Sequence, residues 1–108
     1  MKPDIIDALW DVIEQRAQSA DEKRSYVRSL IYHEKGIDKS LEKVGEEAIE
    51  YVIAVKNADD NRIIEEAADL LFHLMVSLKA AGISFEEVKK ELAARRAKME
   101  LHEPTLQD

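Results

Sequence analysis

The sequence contains no cysteine, only two prolines and three glycines, and few aromatic residues (6%). The lack of cysteine excludes disulfides, thiol chemistry and cysteine-ligated zinc, and it is typical of a reducing, cytoplasmic environment. Both prolines lie near the ends of the chain, at Pro3 and Pro104. Because an all-β sandwich needs many turns, this scarcity of turn residues argues against that class of fold.

Positive charge and long apolar runs are also lacking. The net charge is −7 at pH 7, which argues against broad binding to nucleic acid or to anionic lipid. No apolar run approaches the roughly 18 residues that a membrane helix needs, and the first residues lack the hydrophobic region of a signal peptide. We therefore expect neither nucleic acid nor a membrane as a partner.

What remains is the composition of a soluble helical chain. Apolar residues make up 45% of the 108 residues and charged residues 36%, which is typical of a globular protein. Chains of about 100–200 residues usually form one domain. We predict an all-α fold in a single domain over residues 1–108, with a frayed tail after about residue 103.

Four stretches have the periodicity of amphipathic helices. The first opens at Pro3 and fades near residues 18–21, and the second begins after Asp38 as its N-cap. The third ends at Gly82, and the fourth begins at Ser84 with a capping box to Glu87. Residues 25–31 could add a short helix between the first and the second. These elements predict a subunit of the four-helix-bundle type.

The second and third helices carry apolar residues on more than one face. We expect the inward face of the second helix to be Leu41, Val44, Ala48, Val52 and Val55. For the third helix the expected inward face is Ile63, Ala67, Leu70, Leu71, Leu74 and Leu78. Further apolar residues lie off these faces, at Ile49, Ile53, Phe72, Met75 and Val76. One helical layer hardly covers so much apolar surface, so we expect a homodimer or a higher homo-oligomer.

An internal similarity relates the second helix to the third at an offset of 19 residues. It aligns Glu47 with Glu66 and Glu50 with Asp69, so each helix contains two acids three residues apart. Three residues place the two acids within about 60° of each other on one helix. The break at residues 57–61 is short enough to make the two helices antiparallel neighbours. Packing them together could bring all four carboxylates toward one patch.

Four carboxylates in one patch repel one another, and a divalent cation would relieve that repulsion. Mg²⁺ prefers oxygen ligands, and the lack of cysteine and scarcity of histidine favour such a hard cation over zinc. The spacing therefore indicates Glu47, Glu50, Glu66 and Asp69 as candidate metal ligands. The alternative is that the acids form an ordinary solvated helix face.

Other residues near the acids allow two interpretations each. Lys39 and Lys43 could bind phosphate or pair with neighbouring acids. Arg95 could bind phosphate or stabilise the C-terminal end of the fourth helix by its positive charge. His73 is expected to be a core residue or a neighbour of the metal ligands. Glu46 is expected on the surface, where it could reach a bridging water.

Two strings of residues resemble the phosphoribosyl-ATP pyrophosphatases of histidine biosynthesis, a branch of the all-α NTP pyrophosphohydrolases of the MazG type. The superfamily's pattern of Glu-x-x-Glu, a gap, and Glu-x-x-Asp is present with a gap at residues 51–65. Residues 43–50 (KVGEEAIE), residues 66–74 (EAADLLFHL) and the upstream Ser25–Tyr26 resemble the histidine-pathway branch more narrowly. The likeness extends from about residue 25 to residue 96.

The resemblance implies a reaction and roles for these residues. The reaction is Mg²⁺-dependent hydrolysis of phosphoribosyl-ATP at the α–β phosphoanhydride, which gives phosphoribosyl-AMP and pyrophosphate. Glu47, Glu50, Glu66 and Asp69 would hold Mg²⁺, and one of them or Glu46 would take the proton from water. Lys43 and Lys39 would hold phosphate oxygens, and Ser25, Tyr26 and Arg95 are further candidates for substrate binding.

Two other functions remain open at this point. One is a house-cleaning pyrophosphohydrolase that acts on free or aberrant nucleotides with the same metal site. The other is a helical dimerisation module without catalytic activity, whose acids are only solvated. Substrate preference distinguishes the first alternative, and Mg²⁺ binding distinguishes the second.

Overall fold

The computed structural model describes residues 4–18 and 25–102, and this part of the chain consists of helices joined by short turns, without a strand. The helices are α1 (Ile5–Gln18), α2 (Tyr26–Ile31), α3 (Ile37–Lys56), α4 (Asp60–Ala81) and α5 (Phe85–His102). The predicted all-α fold is confirmed, and the short extra helix is α2. The predicted helix start at Pro3 and the frayed tail after about residue 103 lie outside the described residues.

Helices α3 and α4 form a hairpin with the most extensive contact in the described structure. The connection is only Asn57–Asp59, with Ala58 in the left-handed region (φ 55°). The Asp59 side chain accepts a hydrogen bond from the backbone N–H of Arg62 and so caps the start of α4. A three-residue turn between two contacting helices makes them antiparallel neighbours, as the sequence predicted.

The apolar core lies where α1, α2, the second half of α4 and the start of α5 meet. Its buried side chains are Trp10, Ile13, Val27, Leu30, Met75, Val76 and Phe85. Helix α3 contributes little apolar surface to the buried interior, because its buried residues are Ser40, Glu47 and Ala54, spaced seven residues apart. The inward side of α3 is therefore largely polar.

The predicted inward face of α3 is wrong for most of its length. Leu41, Val52 and Val55 are 50%, 56% and 43% exposed. Helix α4 also differs from the prediction: Met75 and Val76, which were expected to lie off its inward face, are fully buried. The reason is that both helices have two apolar faces, and α3 turns its acid-bearing side toward α4. Periodicity alone does not determine which face packs inside the subunit.

The ends of three helices test the predicted caps. Helix α3 begins at Ile37 after Gly36 (φ 66°), so the prediction of Asp38 as N-cap is wrong by two residues. Gly36 takes this place because its backbone conformation there is one that L-residues rarely adopt. Gly82 ends α4 in the left-handed conformation (φ 78°), as predicted.

The predicted capping box at α5 is only half formed. The Ser84 hydroxyl accepts a hydrogen bond from the backbone N–H of Glu86 at 3.1 Å. The Glu87 carboxylate lies instead 3.5 Å from the Lys90 ammonium, on the exposed side of the helix.

Among the described residues, no single helix is long and apolar enough to cross a bilayer. Helices α4 and α5 meet that criterion only together, as a pair bent by 117°.

Candidate metal centre and its surroundings

Three carboxylates from the hairpin converge on one point. One carboxylate oxygen each from Glu47, Glu66 and Asp69 can be chosen so that all three lie within 4.8 Å of one another. Glu47 comes from α3, whereas Glu66 and Asp69 lie three residues apart on one side of α4. The antiparallel packing of the two helices therefore produces the acid cluster, by which we mean these three residues.

Two members of the acid cluster are buried and incompletely paired. Glu47 is 7% exposed and Glu66 is 3% exposed, while Asp69 lies at the surface. The Oε1 atoms of Glu47 and Glu66 are both buried without a hydrogen-bond partner. A buried polar atom without a partner costs about 1–3 kcal/mol, and more if it is charged. A cation bound between these oxygens would remove that cost.

The chemistry of the acid cluster fits a hard divalent cation. Its donors are carboxylate oxygens alone, and such ligands suit Mg²⁺, Mn²⁺ or Ca²⁺ rather than zinc. Three carboxylates leave room for water and substrate phosphates, which is the manner in which proteins usually hold Mg²⁺. The unpartnered oxygens of Glu47 and Glu66 are the observation on which this fit rests.

Each buried acid has a basic neighbour one turn earlier on its own helix. The Lys43 ammonium lies 3.7 Å from Glu47 Oε2 and 3.3 Å from Glu46 Oε1. Arg62 Nη2 lies 2.7 Å from Glu66 Oε2. In both pairs the base lies next to Oε2 of the acid, and Oε1 has no hydrogen-bond partner. The hydrogen bond from Lys43 to Glu46 raises the pKa of the ammonium above its ordinary value, although burial opposes this.

Arg62 is a functional candidate that the sequence reasoning missed. The signal was present, because the 19-residue offset that aligns Glu47 with Glu66 also aligns Lys43 with Arg62. The internal similarity thus includes a base, four residues before each buried acid.

Glu50, the fourth predicted ligand, lies outside the three-residue group that the geometry brings together. It is exposed, and it lines a cleft of about 390 Å³ at the turn of the hairpin. The same cleft contains Arg62, so it adjoins the acid cluster on the α4 side. The other lining residues are Ile53, Ala54, Asn57 and Asp59.

Tyr26 and His73 lie next to the acid cluster. The Tyr26 hydroxyl is 2.9 Å from His73 Nε2, and His73 Nδ1 is 2.8 Å from the backbone oxygen of Asp69. Burial is the main cause that raises the pKa of Tyr26, Lys43 opposes it, and the charges of Glu47 and Asp69 raise it further. His73 is buried, which agrees with its expected place in the core or beside the ligands.

The remaining candidates have identified contacts of their own. The Ser25 hydroxyl is buried and caps α2 by accepting a hydrogen bond from the Arg28 N–H. Lys39 lies 3.9 Å from Glu42, and Arg95 lies 3.1 Å from Glu91. Glu46 has a side chain that is 57% exposed, as the sequence indicated. The roles of Ser25, Lys39 and Arg95 toward a substrate stay predictions.

The fold and the site together define a class: an all-α protein with a helical hairpin on which carboxylates converge in a cluster that could hold a metal ion. The sequence model for the family Phosphoribosyl-ATP pyrophosphohydrolase matches residues 6–96. The chain belongs to the phosphoribosyl-ATP pyrophosphohydrolase family. The resemblance noted from the two acidic strings is thereby confirmed.

Three similar proteins are each named phosphoribosyl-ATP pyrophosphatase. The protein of Methanocorpusculum labreanum is 58% identical over 99 residues, which cover 92% of this chain and 95% of that one. The protein of Methanosphaerula palustris is 58% identical over 92 residues, 85% of this chain and 92% of its own. The protein of Methanoculleus marisnigri is 54% identical over 92 residues, which cover 85% of this chain and 94% of that one.

Proposed function

We propose that the chain hydrolyses phosphoribosyl-ATP to phosphoribosyl-AMP and pyrophosphate, an early step of histidine biosynthesis. Water forms a new P–O bond, the α–β phosphoanhydride breaks, and the proton of the water passes to a carboxylate. The observation that carries the proposal is the acid cluster, with its two buried and unpartnered oxygens, inside the region that matches the family. A merely solvated acidic face would leave these carboxylates in water.

The proposed cofactor is Mg²⁺. Glu47, Glu66 and Asp69 would hold the ion, and Glu50 could join them from the edge of the neighbouring cleft. When bound, the ion supplies positive charge that neutralises the triphosphate, which is the main requirement of phosphoryl transfer. The acidity of the chain does not oppose an anionic substrate, since the cation accompanies it.

The chain's own side chains supply the remaining functions. Lys43 lies between Glu46 and Glu47, where its ammonium could exchange a carboxylate for a phosphate oxygen. Lys39, one turn earlier, and Arg95 on α5 are further candidates for phosphate contacts, with Ser25 and Tyr26 at the start of α2 for the rest of the substrate. Glu46 is exposed beside the acid cluster, so it is a candidate base for the attacking water.

The exposed apolar residues of the hairpin support a homodimer. Leu41, Val52 and Val55 of α3 and Leu71 and Leu74 of α4 are each at least 36% exposed. Val52 and Val55 are three residues apart, as are Leu71 and Leu74, and Leu41 precedes Val52 by 11 residues, about three helical turns. Such a stripe on a soluble helix is typical of a helix–helix interface. We place this dimer in the cytoplasm, where the cysteine-free sequence fits a reducing environment.

Substrate competition tests the proposed activity against house-cleaning hydrolysis. We expect kcat/KM for phosphoribosyl-ATP to exceed that for ATP and dATP by about a hundredfold or more, the scale that differential contacts to a substrate can supply. Products are separated by chromatography, so that pyrophosphate is distinguished from phosphate. Equal turnover of all three nucleotides would favour the house-cleaning function, and no Mg²⁺ binding would favour the dimerisation module.

A further inference from the structure

The hydrogen bond between Tyr26 and His73 has one direction when the His73 ring is neutral. His73 Nδ1 lies 2.8 Å from the backbone oxygen of Asp69, and a carbonyl oxygen can only accept. Nδ1 must therefore carry the hydrogen, and in the neutral ring Nε2 is then the acceptor. It follows that the Tyr26 hydroxyl, 2.9 Å from Nε2, donates its hydrogen to His73.

Because the hydroxyl donates its one hydrogen to His73, the phenol oxygen can act toward other groups of the site only as a hydrogen-bond acceptor. Tyr26 is 50% exposed, whereas His73 is 6% exposed, so the hydroxyl hydrogen points toward a buried ring from a side chain that is open to solvent. The same ring contacts the backbone oxygen of Asp69 at 2.8 Å, so the phenol lies one imidazole ring away from a member of the acid cluster.

Packing holds both rings in place. The Tyr26 ring stacks on Phe72 with 6.1 Å between centroids, and Phe72 and His73 meet edge to face at 5.0 Å. Phe72 and His73 are consecutive on α4, and Asp69 lies one turn earlier. The element that carries two of the three clustered acids thus also fixes the position of the phenol.

We propose that His73 is a positioning residue for the hydrolysis and that it makes the Tyr26 oxygen a fixed hydrogen-bond acceptor at the acid cluster. The inference rests on the proposed function. The donors that this oxygen would receive are a water of the hydrated cation or a sugar hydroxyl of the substrate. In both cases His73 acts only through Tyr26.

A double-mutant cycle tests this coupling. Tyr26→Phe and His73→Leu should each lower kcat/KM by about three- to tenfold, the value of one neutral hydrogen bond. The double variant should be no worse than the poorer single variant, because the two residues form one unit. His73→Gln, which can keep an acceptor near the Nε2 position, should retain most activity, and Tyr32→Phe is the matched control for loss of an exposed phenol. Additive losses, or full activity of Tyr26→Phe, would overturn the proposal.

Two further measurements, NMR without turnover and calorimetry read together with KM, complete the test. Nitrogen-15 NMR of the wild type should show His73 with its hydrogen on Nδ1, and a hydrogen on Nε2 would overturn the proposal even if hydrolysis is found. Calorimetry with Mn²⁺ alone distinguishes the two donors: weaker binding by Tyr26→Phe assigns the cation's water, and unchanged binding with a raised KM assigns the sugar hydroxyl. An inactive wild type with the Nδ1 tautomer would contradict the proposed function and leave the orientation of the phenol intact.

Discussion

Glu47 and Glu66 lie on opposite helices of the hairpin, and each is buried with an Oε1 atom that has no hydrogen-bond partner. Both residues belong to the acid cluster, in which one carboxylate oxygen of each member lies within 4.8 Å of the others. Each carboxylate is held through Oε2 by a base one turn earlier, Lys43 or Arg62. The site is therefore arranged in duplicate, with two held acids and one exposed acid, Asp69, completing it.

Arg62 should matter more to the metal-free protein than to the metal-loaded one. Its ion pair with the buried Glu66 is short, but its own side chain is 54% exposed. Solvent screening thus limits the loss in Arg62→Ala to about 1 kcal/mol. Because a bound cation can replace the missing positive charge, Mg²⁺ should raise the Tm of Arg62→Ala by more than it raises that of wild type. Calorimetric scans with EDTA and with Mg²⁺ measure this, and the control is Arg96→Ala, which removes an exposed arginine of α5. Equal Mg²⁺ shifts would refute it.

Lys43 should serve the substrate more than the fold. Its ion pair with the buried Glu47 is long, at 3.7 Å, and its shorter pair is with the exposed Glu46, so Lys43→Met should cost less than about 1 kcal/mol and change the Tm little. A charge-assisted contact to phosphate contributes about 1.5–3 kcal/mol, and its loss should lower kcat/KM by roughly ten- to a hundredfold.

The control for Lys43→Met is Lys35→Met, which removes an exposed pair with Glu42. It should have normal turnover. A Lys43→Met protein that melts several degrees lower while it keeps near-normal turnover would show that Lys43 is structural.

Alkaline pH should reveal the raised pKa of Tyr26. Burial is the largest cause of that shift from the ordinary value of 10.0. The unfolded chain then loses its phenolic proton at lower pH than the folded chain does. The resulting contribution to stability is complete below about pH 10 and is lost as the pH rises through the folded pKa. Urea unfolding at increasing pH should therefore show a steeper loss for wild type than for Tyr26→Phe. Identical slopes would contradict the shift.

The exposed stripe of α3 should be an interface between two copies of the chain. Sedimentation equilibrium at micromolar concentration should give at least twice the 12.3 kDa of one chain. Val52→Glu, at a position that is 56% exposed here, should shift the wild-type assembly toward monomers because it would bury a charge in the interface. A wild type that contains only 12.3 kDa species would exclude the dimer.

The sequence predicted the hairpin and its acids better than it predicted the packing. The short break after Lys56 and the doubled acid spacing were enough to bring Glu47, Glu66 and Asp69 together. The inward face of α3 was mispredicted because buried residues were assumed to be apolar, whereas α3 turns Ser40 and Glu47 inward. Both faces of α3 have helical spacing, so a choice between them needs the partner surfaces, which one sequence does not contain.

The pair formed by Tyr26 and His73 was beyond sequence reasoning for a different reason. The residues are 47 positions apart, and only the packing of α2 against α4 brings their polar atoms within 2.9 Å. Arg62 was within reach of sequence reasoning, since it occupies in the second acidic string the place of Lys43 in the first.

The central claim is that the acid cluster binds Mg²⁺ for the hydrolysis of phosphoribosyl-ATP. Three substitutions each remove one charge from the acid cluster with little change of shape: Glu47→Gln, Glu66→Gln and Asp69→Asn. The matched control is Glu65→Gln, at a side chain that is 64% exposed. Each cluster variant should lose Mg²⁺-dependent activity and, without metal, be at least as heat-stable as wild type, because repulsion falls.

The most direct measurement is the rate of phosphoribosyl-ATP hydrolysis by Glu66→Gln and Glu65→Gln side by side, with Mg²⁺ and with EDTA. We predict that Glu65→Gln keeps the wild-type rate with Mg²⁺ and loses it in EDTA, whereas Glu66→Gln is inactive in both. Because a ligand of the cation contributes several kcal/mol to the transition state, the loss in Glu66→Gln should exceed about a hundredfold. A Glu66→Gln rate above about a tenth of wild type, a loss of less than about 1.4 kcal/mol, would contradict the account.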